Sequence, residues 1–383
     1  MKKVALLCNR CDRDYLLNCF QRHSEMKSEV VALLAWSVVD APFYYGIPIV
    51  PLEKIHEIGC DTILVSVRRN HELSKIILRL KEIKDVDIFV VREFALIDRR
   101  NIINKSGFDP ICVNCASDRT GKERPYFPHL DVHICDHCNL RCKGCLHYAP
   151  YVKEKHSIDL GKFESDIRIL NDKLILGRIF LLGGEPLLEP EICTEAIGII
   201  RKYVPETEIR IITNGLLVPR MSDSFLQNLY DNDVDINVSL YPTFWNRYKE
   251  IEATLNGKRI RHWIYKIDRF GKWLTDPRAK NRHNKYFNNE SCLSMDCHIL
   301  FEGRIYKCPE AALYRYLAAG IEMEEEAEMI AGKGIDINEI DNGWNMIRKL
   351  CEPCELCGNC SVPGTEFMWG QVTEIITPED WFV

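Results

Sequence analysis

Cys138-Asn139-Leu140-Arg141-Cys142-Lys143-Gly144-Cys145 sets three thiols at CxxxCxxC spacing inside eight residues. A loop that short can turn three thiolates toward one centre, and soft thiolates select iron–sulfur clusters, zinc or Cu(I) over hard cations. A cubane cluster normally takes four cysteine ligands, so a set of three leaves one iron open to a small molecule. An open iron implies chemistry. Cys135 stands three residues upstream, and the run Cys135, Cys138, Cys142, Cys145 also reads as a four-thiolate zinc site. Zinc-site CxxC pairs usually sit farther apart, which favours the open cluster.

The other cysteines bear on the same question. The chain has 383 residues and 18 cysteines, many at two- and three-residue gaps, a pattern that suits metal ligation better than the stapling of secreted loops. The apolar run Val4 to Cys8 is too short for a signal sequence, and no stretch reaches the length of a membrane span, so a reducing cytoplasm is expected. A net charge of −6 sets up no global field toward nucleic acid or membrane, and neither is expected as a partner.

Alternating strand and helix signals run along most of the chain. Val4 to Cys8, Val30 to Ala35, Thr62 to Val67 and Val86 to Val91 are short apolar runs with amphipathic stretches such as His71 to Ile83 between them. They predict a small Rossmann-like domain over residues 1–108. Its first turn, Asn9 to Asp12, lacks the glycines that let a backbone approach a pyrophosphate, so no classical dinucleotide is expected there. Cys8 and Cys11 are read as plain residues. Residues 109–128, rich in proline and polar groups, read as a linker that carries Cys112 and Cys115 without an assigned role. From Leu130 the alternation resumes through strands at Leu130 to Cys135, Arg178 to Leu182, Glu208 to Thr213, Val234 to Leu240 and Ile260 to Tyr265, which predicts a parallel barrel or partial barrel over residues 129–290. Functional groups in such folds sit at the C-terminal ends of the strands. Gly183-Gly184-Glu185-Pro186, Thr213-Asn214-Gly215 and Ser239-Leu240-Tyr241 all fall at such ends.

These motifs, in this order, resemble the radical SAM superfamily. The resemblance implies a cluster on Cys138, Cys142 and Cys145 whose open iron holds S-adenosylmethionine, which an electron splits to a 5′-deoxyadenosyl radical. It also implies a partial (β/α)6 TIM-like barrel, the GGEP residues Gly183, Gly184, Glu185 and Pro186 at the methionyl amino group, and Asn214 and Ser239 at the ribose and carboxylate. Glycines there expose backbone groups without Cβ obstruction. No catalytic acid or base is assigned.

Seven further cysteines follow in residues 291–383: Cys292, Cys297, Cys308, Cys351, Cys354, Cys357 and Cys360. His298 to Tyr306 reads as a hairpin turning at Glu302-Gly303 that brings Cys297 and Cys308 together. The set resembles SPASM/twitch extensions, which implies one or two auxiliary iron–sulfur clusters, although the CxxC steps are tighter than that pattern. A zinc ribbon is the bland alternative, and Glu322 to Glu328 reads as a solvated helix. Between the barrel and this set, Lys258 to Lys285 interleaves basic and aromatic residues, a mix that holds phosphates and stacks rings.

The expectation is therefore an α/β enzyme that abstracts hydrogen from an anionic carbohydrate or nucleotide-linked small molecule. It would be supplied with electrons by a flavodoxin or ferredoxin. A peptide-modifying maturase and a zinc-bound interaction protein are the rivals.

Overall fold

The computed structural model describes residues 2–8, 17, 28–35, 42–66, 76, 79–80, 83, 86–90, 111–112, 124, 126–127, 129–279, 282–292, 297–372 and 376–383. The chain divides into two units, residues 1–128 and 129–383. In the first unit, β1 (Lys2–Cys8), β2 (Ser28–Ala35), β3 (Phe43–Tyr44), β4 (Ile47–Pro51), β5 (Thr62–Ser66), β6 (Asp87–Val90) and β7 (Ile111–Cys112) form one sheet in the order β3-β4-β2-β1-β5-β6-β7. Strands β4 to β6 of that order run parallel, with antiparallel β3 and β7 at the edges. Val4, Leu6, Leu33 and Leu64 are buried in its core, as continuous apolar strands of a parallel sheet should be. The first turn at residues 9–12, Cys115 and most of the stretches at 71–83 and 109–128 lie outside the described residues.

The second unit is built on strand–helix repeats: β8 (Leu130–His133), α1 (Leu160–Lys173), β9 (Arg178–Leu182), α2 (Pro190–Tyr203), β10 (Glu208–Thr213), α3 (Asp223–Asp231), β11 (Val234–Leu240), α4 (Tyr248–Gly257) and β12 (His262–Lys266). Capping explains where the helices begin. Asp159 Oδ1 accepts from Lys162 N, and the Ser222 hydroxyl accepts from Phe225 N. Next come β13 (Arg269–Leu274), α5 (Lys285–Ser291), β14 (Ile299–Phe301), β15 (Arg304–Tyr306), α6 (Pro309–Gly320), α7 (Ala327–Ala331), β16 (Ile335–Asp336), α8 (Gly343–Cys351) and β17 (Cys360–Met368). The main sheet has the order β12-β11-β10-β9-β8-β14-β15-β16, parallel from β12 to β14. The hairpin turns at Glu302 and Gly303, both at positive φ, as its sequence requires. It joins the parallel sheet beside β8, with Cys308 two residues beyond β15. The acidic stretch at residues 322–328 is not one helix: turns run through Glu326 and α7 begins at Ala327. Five glutamates crowded into seven residues repel one another along a helix face, which weakens any helix there.

Alternation along the parallel strands sorts the two faces. In β11, Val234, Ile236, Val238 and Leu240 are buried, while Asp235, Asn237 and Ser239 alternate with them toward the inner face. That inner face is polar. Asp131 pairs with His129 at 2.6 Å, and Arg210 holds Glu208 at 2.6 Å while its guanidinium lies over the Phe180 and Trp263 rings. Asp235 accepts from Arg261 Nε at 2.7 Å and is 1% exposed. Burial pushes the Asp235 carboxyl up to about 7 even with that partner. Arg261→Met is therefore expected to cost about 3 kcal/mol by stranding a buried charge. A carboxyl whose folded pKa is raised contributes stability below its unfolded pKa and loses it as pH rises. The variant's deficit in urea unfolding should thus grow between pH 5 and pH 8.

Candidate active site

The cysteine loop leaves β8 and is clamped from both sides by backbone. Ile134 N donates to Leu182 O at 2.7 Å, Gly184 N to Cys135 O at 2.7 Å and Glu185 N to His137 O at 3.0 Å, so the Gly183-Gly184 segment runs alongside residues 134–137 as an extension of the sheet. On the other side, Asp136 N donates to His156 O at 3.0 Å and Ile158 N to Ile134 O at 2.8 Å. A Cβ at Gly184 would collide with the His137 carbonyl, and one at Gly183 with the Cys135 carbonyl. Two glycines are required because backbone meets backbone.

Cys138, Cys142 and Cys145 line one cavity of about 330 Å³, with Gly183, Gly184, Asn214 and Ser239 in its wall. Cys135 points elsewhere: its thiol donates to the Glu185 carbonyl at 3.4 Å and lines a separate crevice. Leu140 N donates to Cys138 Sγ at 3.4 Å, and Trp369 Nε1 to Cys142 Sγ at 3.2 Å. Burial pushes the Cys142 thiol up to about 12 and raises Cys138 and Cys145 as well, so a bound metal has to displace their protons. Among the described residues no three His, Cys, Asp or Glu side chains are set around a single metal ion. Three thiols that each serve a different iron of one cluster do not need that closer convergence. The soft three-donor set, the fourth thiol turned aside and the glycine-walled space beside it fit a cluster with one open iron.

Of the GGEP residues, Glu185 is buried behind the wall. Its Oε1 accepts from Thr213 Oγ1 at 2.6 Å and from Leu187 N at 3.0 Å, and its Oε2 accepts from Asn214 N at 2.8 Å. Burial pushes this carboxyl up to about 7. Glu185 ties the glycine segment to the end of β10, while Pro186, also buried, opens the short turn that follows. Asn214 donates to Asn139 Oδ1 at 2.7 Å, which fastens the end of β10 to the cysteine loop itself.

Aromatic residues, Tyr241 of the third strand-end motif among them, complete the cavity. Tyr241 stacks on Trp369, with centroids 5.0 Å apart and 3° between the planes, and Phe270 meets Tyr241 edge-on at 5.5 Å. Arg269, Phe270 and Trp273 of β13 line the same space, as does His147, whose ring burial holds at about 3. Trp369 and Phe367 lie more than two hundred residues from the cysteine loop, and local spacing carries no signal of them. Several members of the basic run over residues 258–285 are held by carboxylates. Lys258 pairs with Asp223, Arg261 with Asp235, Arg278 with Asp276 and Lys285 with Glu355. Arg269 stays at the cavity, with Glu366 at 4.0 Å.

The structure brings the later cysteines partly together. Cys354 Sγ lies 3.6 Å from Cys357 Sγ, and hydrogen bonds from Cys308 and Cys357 hold the Cys354 thiol below the usual range. Cys360 and Cys292 lie close enough for the charge of Cys292 to act on Cys360. Asn288 donates to the Cys357 and Cys360 carbonyls, and Asn289 donates to that of Cys351. Helix α5 therefore braces the whole turn. The set Cys308, Cys354, Cys357 and Cys360 fits a second thiolate centre by donor chemistry.

Residues 132–252 match the family model described as the Radical SAM superfamily. The GTP 3',8-cyclase of Alkaliphilus oremlandii (strain OhILAs) is 30% identical over 144 residues, which are 37% of this chain and 44% of that protein. The GTP 3',8-cyclase of Alkaliphilus metalliredigens (strain QYMF) is 31% identical over 149 residues, with the same two coverages. The chain thus spans less than half the length of the curated relatives it matches. Among solved structures, BtrN in complex with AdoMet and 2-DOIA aligns at a TM-score of 0.39 and 17% identity, over 62% of this chain and 94% of that one. No described helix is long and apolar enough to cross a membrane. The matched stretch contains the cysteine loop and the strand ends of β9, β10 and β11 that wall the cavity, so the part of this chain that is similar to the Radical SAM superfamily is the part that builds the candidate site.

Proposed function

We propose that the protein reductively cleaves S-adenosylmethionine in this cavity and removes hydrogen from an anionic, carbohydrate or nucleotide-linked small molecule. The observation that carries the reading is the convergence of three cysteines, two glycines and a cationic–aromatic wall on one space. When bound, the cluster supplies the electron that converts S-adenosylmethionine to a 5′-deoxyadenosyl radical. The chain's own residues do the rest. Gly183 and Gly184 leave backbone groups open for the methionyl ammonium, Asn214 and Ser239 face the ribose and carboxylate, and Tyr241 and Phe270 keep water from the reacting end. Arg269 receives the substrate's negative charge, and Trp273 offers it a ring. The matched relatives are named for a reaction on GTP, which supports a nucleotide-linked substrate.

The same reading treats the six parallel strands as a partial barrel, the first unit as Rossmann-like and the later cysteines as a SPASM/twitch-like auxiliary site. We place the enzyme in the cytoplasm with a flavodoxin or ferredoxin as donor. The test is anaerobic reconstitution followed by assay of 5′-deoxyadenosine after S-adenosylmethionine and a one-electron reductant are added. Iron and sulfide with nucleoside release support the reading, and a zinc-loaded, inert protein overturns it. For the substrate, Arg269→Ala should weaken GTP binding by about tenfold in calorimetry, the loss expected for one charged hydrogen bond.

A further inference from the structure

Residues 370–372 and 380–381 of the C-terminal segment are held onto the cysteine loop. Lys143 N donates to Gly370 O at 2.9 Å and Val372 N to Arg141 O at 2.7 Å, which makes Gln371 a bridge partner of Cys142. Trp381 Nε1 donates to Cys145 O at 2.9 Å, and Lys143 reaches Asp380 at 3.1 Å. Gly144 has φ +62°, and a Cβ there would stand 2.6 Å from the Phe367 ring. The space beside Gly144, in the second of the loop's two gaps, is thus filled by an aromatic from β17.

One of these contacts reaches a sulfur. The Trp369 indole N–H donates to Cys142 Sγ at 3.2 Å, and its ring is held by stacking on Tyr241. Cys138 receives a backbone N–H at the longer 3.4 Å, with the Asn214 amide at 4.0 Å. The indole can donate and cannot accept, so it always presents positive charge to the sulfur.

We infer that Trp369 sets the reduction potential of the cluster held by Cys138, Cys142 and Cys145. The inference rests on the reading of that loop as a cluster site. Adding an electron places more negative charge on the iron–sulfur unit and its thiolates, and the N–H···S bond strengthens as the charge grows. The bond therefore favours the reduced form and raises the potential. Hydrogen bonds to cluster sulfurs are one of the recognised means by which a protein tunes such centres. Trp369 acts through Cys142 and is a positioning residue. Because it follows β17 directly, and β17 begins at Cys360, the second thiolate group anchors the strand that delivers it.

The test compares wild-type protein with Trp369→Phe and with a variant carrying 3-benzothienylalanine at 369, which keeps the bicyclic shape and lacks the N–H. Each is reconstituted anaerobically, assayed for iron and sulfide, and titrated with dithionite-poised mediators under EPR without S-adenosylmethionine. The expected result is unchanged iron and sulfide, with the reduced-to-oxidised ratio at fixed poise lowered about tenfold, which is about 59 mV more negative for one electron. An unshifted midpoint in the benzothienyl variant, or a shift confined to Trp369→Phe, overturns the inference and assigns Trp369 to packing. Loss of iron from both variants likewise assigns it a purely structural role. A wild-type protein that binds no cluster at all overturns the site reading itself, and is told apart by its iron content before any titration.

Discussion

Cys142→Ala is expected to reduce 5′-deoxyadenosine formation to the uncatalysed background, a loss on the scale of the 10⁶-fold or greater accelerations typical of enzymes, at least about that size. The physical cause is the removal of one of three thiols that share a cavity with Gly183 and Gly184. Iron and sulfide per chain should fall with the activity, since a cluster left with two protein ligands is released. Cys135→Ala is the matched control. Its thiol donates to the Glu185 carbonyl and lines a different crevice, so the variant should keep its iron and lose about 1 kcal/mol of stability from a small cavity. Loss of metal from both variants alike would show that four thiolates close the centre, and the open-iron account would fall.

Gly184→Ala should be the most damaging single methyl group outside the cysteines. The added Cβ meets the His137 carbonyl, a backbone atom that the Glu185 N–H already holds at 3.0 Å, so no flexible side chain can yield. Overpacking of this kind costs about 3 kcal/mol at the upper end of its usual range. The strain pushes the glycine segment away from the cysteine loop. Displacements of about 1 Å in a positioned site cost about 100-fold in rate, so turnover should fall by that factor in protein that remains folded. Gly198→Ala gives the contrast. That glycine lies inside α2 with nothing within 4 Å of its Cβ position, and alanine there should stabilise by about 0.5–1 kcal/mol. Thermal unfolding and 5′-deoxyadenosine assays on the two variants separate the local collision from a general intolerance of alanine.

The parts of the site legible in the sequence are those written in short spacings. Three cysteines in eight residues, two glycines after a β-rich run, and the two-residue alternation of Val234 to Leu240 each encode a local geometry that a few bonds enforce. The inward polar set on the parallel strands follows from that alternation. Glu185 shows the limit of such reading, because its motif position says nothing of which way the carboxylate turns. Burial and three donors from residues 187, 213 and 214 direct it behind the cavity wall.

The amino-acid order by itself determined the thiolate chemistry, the strand–helix repeat and the need for glycine beside the cysteine loop, because each depends on neighbours within a few residues. Only the tertiary structure decided which distant groups complete the cavity. Trp369 reaches Cys142 across more than two hundred residues, β13 pairs antiparallel with β17, and Lys258, Arg278 and Lys285 of the basic run are spent on ion pairs while Arg269 lines the cavity. Such contacts are set by how sheet and tail pack once folded, and packing between remote segments leaves no periodic mark on the chain.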